Sequence, residues 1–119
     1  MGRDKTIYNL IKGLIKATDI VVDTGCGNGD GTVILSSVAK KVVGIDRDKE
    51  KILSAMRDNK KDNNYYVHDN LDQMEAFPIC DVVVAINITD SLRFPLSFMG
   101  KIQQAAKRMV IVINDYEKP

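Results

Sequence analysis

Apolar, strand-like runs alternate with amphipathic helical segments along this chain, which predicts an α/β fold. The expected form is a three-layer, doubly wound, mainly parallel sheet of five strands with helices on both faces. Three observations carry that expectation. The apolar runs at 20–22, 42–45, 82–86 and 109–113 are short and near-continuous, as in strands buried on both faces. Segments with helical spacing separate them. Right-handed crossovers between successive parallel strands then place helices on both sides of the sheet. With 119 residues there is enough chain for one domain with a core and too little for two, so residues 1–119 are read as one domain.

The elements follow in order. Ile7, Leu10, Ile11, Leu14 and Ile15 fall at i, i+3, i+4, i+7 and i+8, an amphipathic helix of about three turns. The first strand is 20–23 and a glycine loop follows it. A second helix covers about 31–38, with Ile34, Leu35 and Val38 facing inward. The second strand is 42–46. Asp48 is placed to cap a third helix running to about Asn59, with Ile52, Leu53 and Met56 as its apolar face. The third strand is 65–67, and a short helix is expected over 71–76, stopped by Pro78. The fourth strand is 81–88. Pro95 opens a fourth major helix that presents Phe98, Ile102 and Ala105, with Met109 at the boundary to a fifth strand at 109–113. The tail 114–119 is polar.

Composition narrows the function classes. The hydrophobic share is 45%, ordinary for a globular domain, and the net charge is +1. There is no global basic field to indicate nucleic acid or an anionic membrane as a partner. No apolar run approaches the roughly 20 residues of a membrane helix. The opening Met1-Gly2-Arg3-Asp4-Lys5 has no signal-peptide pattern. Cys26 and Cys80 sit in a motif and beside a strand, which does not look like a disulfide framework. A reducing, cytoplasmic location is expected.

The most specific motif is Asp23-Thr24-Gly25-Cys26-Gly27-Asn28-Gly29-Asp30-Gly31. Glycines on alternate positions after a strand let backbone approach a ligand, because no Cβ intervenes. The dinucleotide fingerprint, G-x-G-x-x-G or G-x-G-x-x-A, does not fit: counted from Gly25 its third position is Asp30, and counted from Gly27 it is Thr32. Asp46 ends the second apolar run 21 positions after Gly25, the spacing of about 20 residues that suits a carboxylate accepting from both ribose hydroxyls. Asp46 therefore supports an adenosine ligand, and the glycine pattern decides which kind. Asp69 and Asn87 would come from carboxyl ends of strands as well, where ligands bind on such sheets.

The acid-x-Gly-x-Gly-x-Gly pattern resembles the first motif of class I S-adenosylmethionine-dependent methyltransferases, and the resemblance covers roughly residues 20–113. It implies a Rossmann-like methyltransferase fold, S-adenosyl-L-methionine as cofactor and methyl transfer to an acceptor whose class stays open. A non-catalytic S-adenosylmethionine-binding module or regulatory subunit is the alternative. The implied cofactor-binding residues are Asp23, Gly25, Cys26, Gly27, Asn28, Gly29, Asp46, Arg47, Asp69 and Asn70. The N–H groups of Cys26–Gly29 would fix the methionine carboxylate, Asp46 the ribose and Asp69, in His68-Asp69-Asn70, the adenine. Asp23 either satisfies N–H groups of the loop or touches the cofactor. Asn87 and Asp90 occupy the fourth-motif position as candidates for orienting or deprotonating the acceptor. His68, the only histidine, reads as structural or exposed, and no metal site is indicated. Tyr65 and Tyr66 offer either a ring for adenine or ordinary strand formers.

Two features depart from the family pattern. The Asn/Asp-Pro-Pro-aromatic signature of amino-group methylating members is absent at Asn87. The reversed sixth and seventh strands have no residues to form them, since only 114–119 follow the fifth strand. The fifth strand is then expected to be an exposed edge, open to pairing with a second copy or a partner subunit.

Overall fold

The computed structural model describes residues 2–114, with side chains from Asp4 onward. Met1 and the part of the polar tail beyond Asn114 lie outside the described residues. Five strands, β1 (Ile20–Thr24), β2 (Lys41–Asp46), β3 (Asn64–His68), β4 (Cys80–Ile86) and β5 (Ala106–Ile113), pair in parallel in the order β3-β2-β1-β4-β5. Four helices connect them: α1 (Gly2–Ile11), α2 (Asp30–Ser36), α3 (Lys49–Asp58) and α4 (Pro95–Ala105). The expected parallel, doubly wound sheet is present.

The sequence explains the centre of the sheet directly. β1 and β4 carry apolar residues on both faces, and Val21, Val22, Val82, Val83, Val84 and Ala85 are all fully buried. Odd and even positions feed two cores. On one side Val21, Val42, Val82, Val84 and Ile86 pack with Tyr8, Ile11 and Ile15 and with Leu35 of α2. On the other, Val22, Ile45, Val83 and Ala85 pack with Phe98 and Ile102 of α4. The period-2 alternation of a strand puts neighbouring residues into opposite layers.

Several local expectations need correction. α1 ends at Ile11 and tightens into a single 3-10 turn over Lys12–Leu14. The change from 3.6 to 3.0 residues per turn breaks the apolar stripe. The buried face is Tyr8, Ile11 and Ile15, whereas Leu10 is 73% exposed and Leu14 also points out. α3 starts where expected: Asp48 accepts from the N–H groups of Glu50 and Lys51. Its buried residues, however, are Ile52 and Ala55, and Leu53 and Met56 are about half exposed. β1, β2, β3 and β5 are each longer than expected, and β4 ends at Ile86 rather than 88.

The helix expected over 71–76 is one turn only. Asn70 closes it, accepting from Asp72 N–H through Oδ1 (2.9 Å) and from Gln73 and Met74 N–H through its carbonyl (3.0 and 3.1 Å). The Asp72 carboxylate then accepts from the N–H groups of Arg93 and Phe94 (2.8 and 2.9 Å), tying the turn to the approach of α4. Those two bonds hold Asp72 below the usual carboxylate range. Pro78 biases Phe77 away from helical backbone, so the turn does not propagate.

Candidate functional site

The glycine loop leaves β1 at Thr24 and folds over the end of β2. The N–H groups of Gly25 and Cys26 both donate to the Ile45 carbonyl (2.7 and 3.0 Å). Gly27 N–H donates to Asp46 Oδ2 and Asp48 N–H to Asp46 Oδ1, each at 2.8 Å. Gly29 N–H donates to the Cys26 carbonyl (3.1 Å). Gly25, Gly27 and Gly29 have φ of +69°, +57° and +90°, the left-handed region that favours glycine. Their surroundings differ. A Cβ at Gly25 would lie 2.3 Å from Ile88 Cγ2, and one at Gly29 would lie 2.6 Å from the Tyr66 hydroxyl. A Cβ at Gly27 would meet no protein atom within 4 Å. Gly27 faces open space, and that space is a cavity.

Two cavities meet at Asp46. One, of about 440 Å³, lies between α1 and the loop and is lined by Asp4, Lys5, Tyr8, Gly27, Asn28 and Ile86 among others. The other, of about 280 Å³, is lined by Arg47, Asn70, Leu71, Asp72, Ile88 and Leu92 among others. Gly25, Asp46 and Lys51 line both. The strand order turns between β1 and β4, so this cleft occupies the switch point beyond the carboxyl ends of the strands. Its size is in the range of small-molecule sites. It presents charged groups at the Lys5 end, a central carboxylate and an apolar wall of Leu71, Ile88 and Leu92.

Asp23 takes a different part from either expected one. It is fully buried, and its two oxygens accept from the Tyr8 hydroxyl (2.7 Å) and the Thr32 hydroxyl (2.8 Å). It binds no N–H of the loop, because Cys26, Gly27 and Gly29 have found other acceptors. Burial pushes its carboxyl up to about 7, against the two hydroxyl bonds, which pull it down. Burial, with the neighbouring Asp23, also raises the Tyr8 phenol well above its ordinary value. Asp23 is thus an internal anchor joining α1, β1 and α2. Only Asn28 among Cys26–Gly29 keeps its N–H out of these loop bonds.

The other expected residues fall at different depths. Arg47 and Asn70 line the smaller cavity, and Asn28 and Cys26 the larger. Asp69 is exposed at the rim, with its N–H on the Asp46 carbonyl (3.0 Å) and its Oδ1 accepting from Asn70 N–H (2.7 Å). Asn87 has φ +56° and donates through Nδ2 to Asp4 Oδ1 (3.0 Å), which draws the first turn of α1 to the end of β4. Asp90 is exposed in a 3-10 turn at Thr89–Ser91; its own side chain lines neither cavity, but its neighbours Ile88, Ser91 and Leu92 line the smaller one. His68 Nε2 lies 3.0 Å from the Arg47 carbonyl, a structural tie. Tyr65 points to the exposed face of β3, with Lys41 and Lys60 Nζ at 5.1 and 4.7 Å from its ring centroid. Tyr66 lies under Gly29, and neither tyrosine lines the cleft.

Asp4, Lys5, Tyr8, Thr32, Lys51 and Asp72 belong to the site or its support without having stood out in the sequence. The α1 residues come to the cleft because Tyr8 packs on Gly31, where a Cβ would lie 2.2–2.5 Å from its ring. Gly31, the fourth glycine of the motif, was the available signal: a glycine inside a helix marks close approach of another element.

A family described as "Methyltransferase domain" matches residues 15–118. Among solved structures, a Bacillus halodurans C-125 protein described as a methyltransferase superposes with a TM-score of 0.80 at 19% identity, covering 98% of this chain and 52% of that one. A Haloferax volcanii protein solved in complex with the Trm112 methyltransferase activator gives 0.73 at 19% identity, covering 88% and 49%. The plantazolicin methyltransferase BpumL, solved with a monoazolic desmethylPZN analog and SAH, gives 0.73 at 19% identity, covering 92% and 44%. The chain spans about half the length of these structures. No curated protein matches the sequence.

Proposed function

The chain belongs to the class I S-adenosylmethionine-dependent methyltransferase family, and from that premise we propose that it binds S-adenosyl-L-methionine along the cleft and directs its methyl group to an acceptor. The observation that carries the reading is Gly27: it turns an empty Cβ position to the cavity while its N–H fastens the loop to Asp46. Backbone can approach a ligand there, and the carboxylate that would meet the ribose is already oriented.

When bound, the cofactor supplies an activated methyl group on a sulfonium, so the protein's work is chiefly holding and alignment. Asp46 takes the ribose hydroxyls, and Arg47, Asn70 and the wall of Leu71 and Ile88 flank the adenine end. Lys5 and Lys51 are the cations placed to meet a carboxylate at the larger cavity. Asn87, fixed by Asp4 just beyond the end of β4, is the candidate for orienting the acceptor. Tritium transfer from methyl-labelled S-adenosylmethionine into fractionated small molecules, protein and RNA tests the activity. Label in one fraction, lost with Asp46→Ala, supports it.

A second reading keeps the cofactor site and makes the domain a binding or regulatory module completed by another chain. Among the described residues no strand pairs with the outer edge of β5, an eight-residue strand, and that edge supports the reading. Cofactor binding without transfer to any fraction, and a second copy or partner subunit held through β5, is its expected result. Buried free thiols at Cys26 and Cys80 fit a reducing cytoplasmic location.

A further inference from the structure

The floor of the glycine loop is a polar brace that the methyltransferase motifs leave out. Asn59 ends α3, its N–H on the Ala55 carbonyl (2.8 Å), and its side chain turns to the loop. Nδ2 donates to the Asn28 carbonyl (2.8 Å) and to Asp30 Oδ1 (3.2 Å). The Asn59 carbonyl in turn accepts from the Tyr66 hydroxyl (2.7 Å) and from Asn64 Nδ2 (3.0 Å), both on β3. The same Tyr66 hydroxyl occupies the space a Cβ at Gly29 would need. Asn59 is therefore held by β3 on one side and holds the Asn28–Gly29 peptide on the other.

That peptide is held by two bonds, its N–H on the Cys26 carbonyl (3.1 Å) and its carbonyl on Asn59 Nδ2 (2.8 Å), and the second is the one a side chain supplies. Gly29 sits at φ +90° with no Cβ to resist rotation, and the Asn28 carbonyl is fixed by a side chain rather than by backbone. Turning the peptide would swing the Asn28 carbonyl toward the cavity that Gly27 and Asn28 line. We propose that Asn59 is a positioning residue for cofactor binding: it selects the one orientation of the Asn28–Gly29 peptide that leaves the cavity open, and Tyr66 seats it. This rests on the cofactor reading above. Geometry held by supporting hydrogen bonds is what a binding site needs to keep its shape.

Asn63 supplies a matched control. Its Nδ2 donates to the Ser36 and Ala39 carbonyls (2.8 and 3.1 Å), so like Asn59 it makes two bonds near α2, here both to backbone, and neither reaches the loop. Titration calorimetry with S-adenosylmethionine and thermal melts on wild type, Asn59→Ala and Asn63→Ala separate positioning from stability. The expected result is similar drops in Tm, with affinity about tenfold weaker in Asn59→Ala and within about twofold of wild type in Asn63→Ala. Equal affinity in Asn59→Ala and wild type, or equal losses in the two variants, overturns the proposal. Should Asn59→Ala fail to fold, Tyr66→Phe removes only the hydroxyl bond to Asn59. A loss of about threefold is expected there, and unchanged affinity overturns the brace. If wild type itself does not bind, the cofactor reading fails, and exchange of the Gly29 amide decides the brace on its own. Exchange about tenfold faster in Asn59→Ala than in Asn63→Ala supports it, and equal rates overturn it.

Discussion

On the β2 side of the central strand, side-chain hydrogen bonds run from element to element. Tyr8 and Thr32 meet at Asp23, Gly27 and Asp48 meet at Asp46, and Asn59 joins α3 to the loop. On the β4 side, α4 and β5 pack through an apolar cluster around Phe98 and Ile102, and their polar ties lie at the ends, Asp72 to the Arg93 and Phe94 N–H groups and Arg108 to Asp19 and the Leu14 carbonyl. That side also carries apolar side chains on its surface: Leu96 is 86% exposed, and Ile79 and Phe94 are exposed as well. Hydrogen bonds are directional and fix angles, whereas apolar burial stabilises without fixing them. The contrast places geometric definition where the cofactor would lie. It leaves the side that would face acceptor or partner to packing, which tolerates change in its details.

The contrast can be broken from either side. Phe98→Ala has the largest expected effect, a loss of about 3–5 kcal/mol in unfolding free energy by denaturant titration. The folded fraction should bind S-adenosylmethionine within a few-fold of wild type, since Phe98 lines neither cavity and reaches the cleft only by packing in the cluster that includes Leu71 and Ile88. Next is Gly31→Ala, whose Cβ would meet the Tyr8 ring. A loss of about 1–3 kcal/mol is expected, with weaker cofactor binding as α1 is pushed off the cleft.

Asp23 gives a pH signature. Its carboxyl is raised in the folded protein to about 7, from about 4 in the unfolded chain. The folded state therefore holds the proton more tightly. This group's contribution is fully present below pH ~4 and is lost as pH rises toward ~7, by at most about 4 kcal/mol. Asp19 acts in the opposite sense, because its bond to Arg108 lowers its carboxyl and its contribution fades on acidification. Melts from pH 4 to 8 should show wild type losing stability relative to Asp23→Asn as pH rises; parallel curves would remove Asp23 as the source. The smallest effect is expected at Leu96→Ser, within about 0.5 kcal/mol of wild type, because the side chain is already in water.

What was legible in the sequence was whatever depends on neighbours along the chain. The buried strands showed as apolar runs, Asp48 showed as a cap, and the loop showed as alternate glycines followed by Asp46. What was not legible depends on contacts between distant segments. Tyr8 reaches Asp23 only because α1 crosses α2 at Gly31, and Asn59 reaches Asn28 across 31 positions. The apolar faces assigned to α1 and α3 erred for the same reason, since helical spacing names a stripe while packing chooses its centre. The glycine pattern also does not show the loop's internal bonds, in which the Gly25, Cys26 and Gly27 N–H groups donate to the Ile45 carbonyl and the Asp46 carboxylate. Asp69 lies at the rim, because the turn closed by Asn70 carries Leu71 and Asp72 to the cleft instead.

The central claim is that Asp46 and the loop it fastens form an S-adenosylmethionine site. The most direct measurement is calorimetric titration of wild type and Asp46→Ala with S-adenosylmethionine and S-adenosylhomocysteine, with NAD as control. The account predicts micromolar binding of the first two by wild type, at least a hundredfold loss in Asp46→Ala from the missing charged hydrogen bonds, and no binding of NAD. Undiminished binding by Asp46→Ala, or preference for NAD, would contradict it.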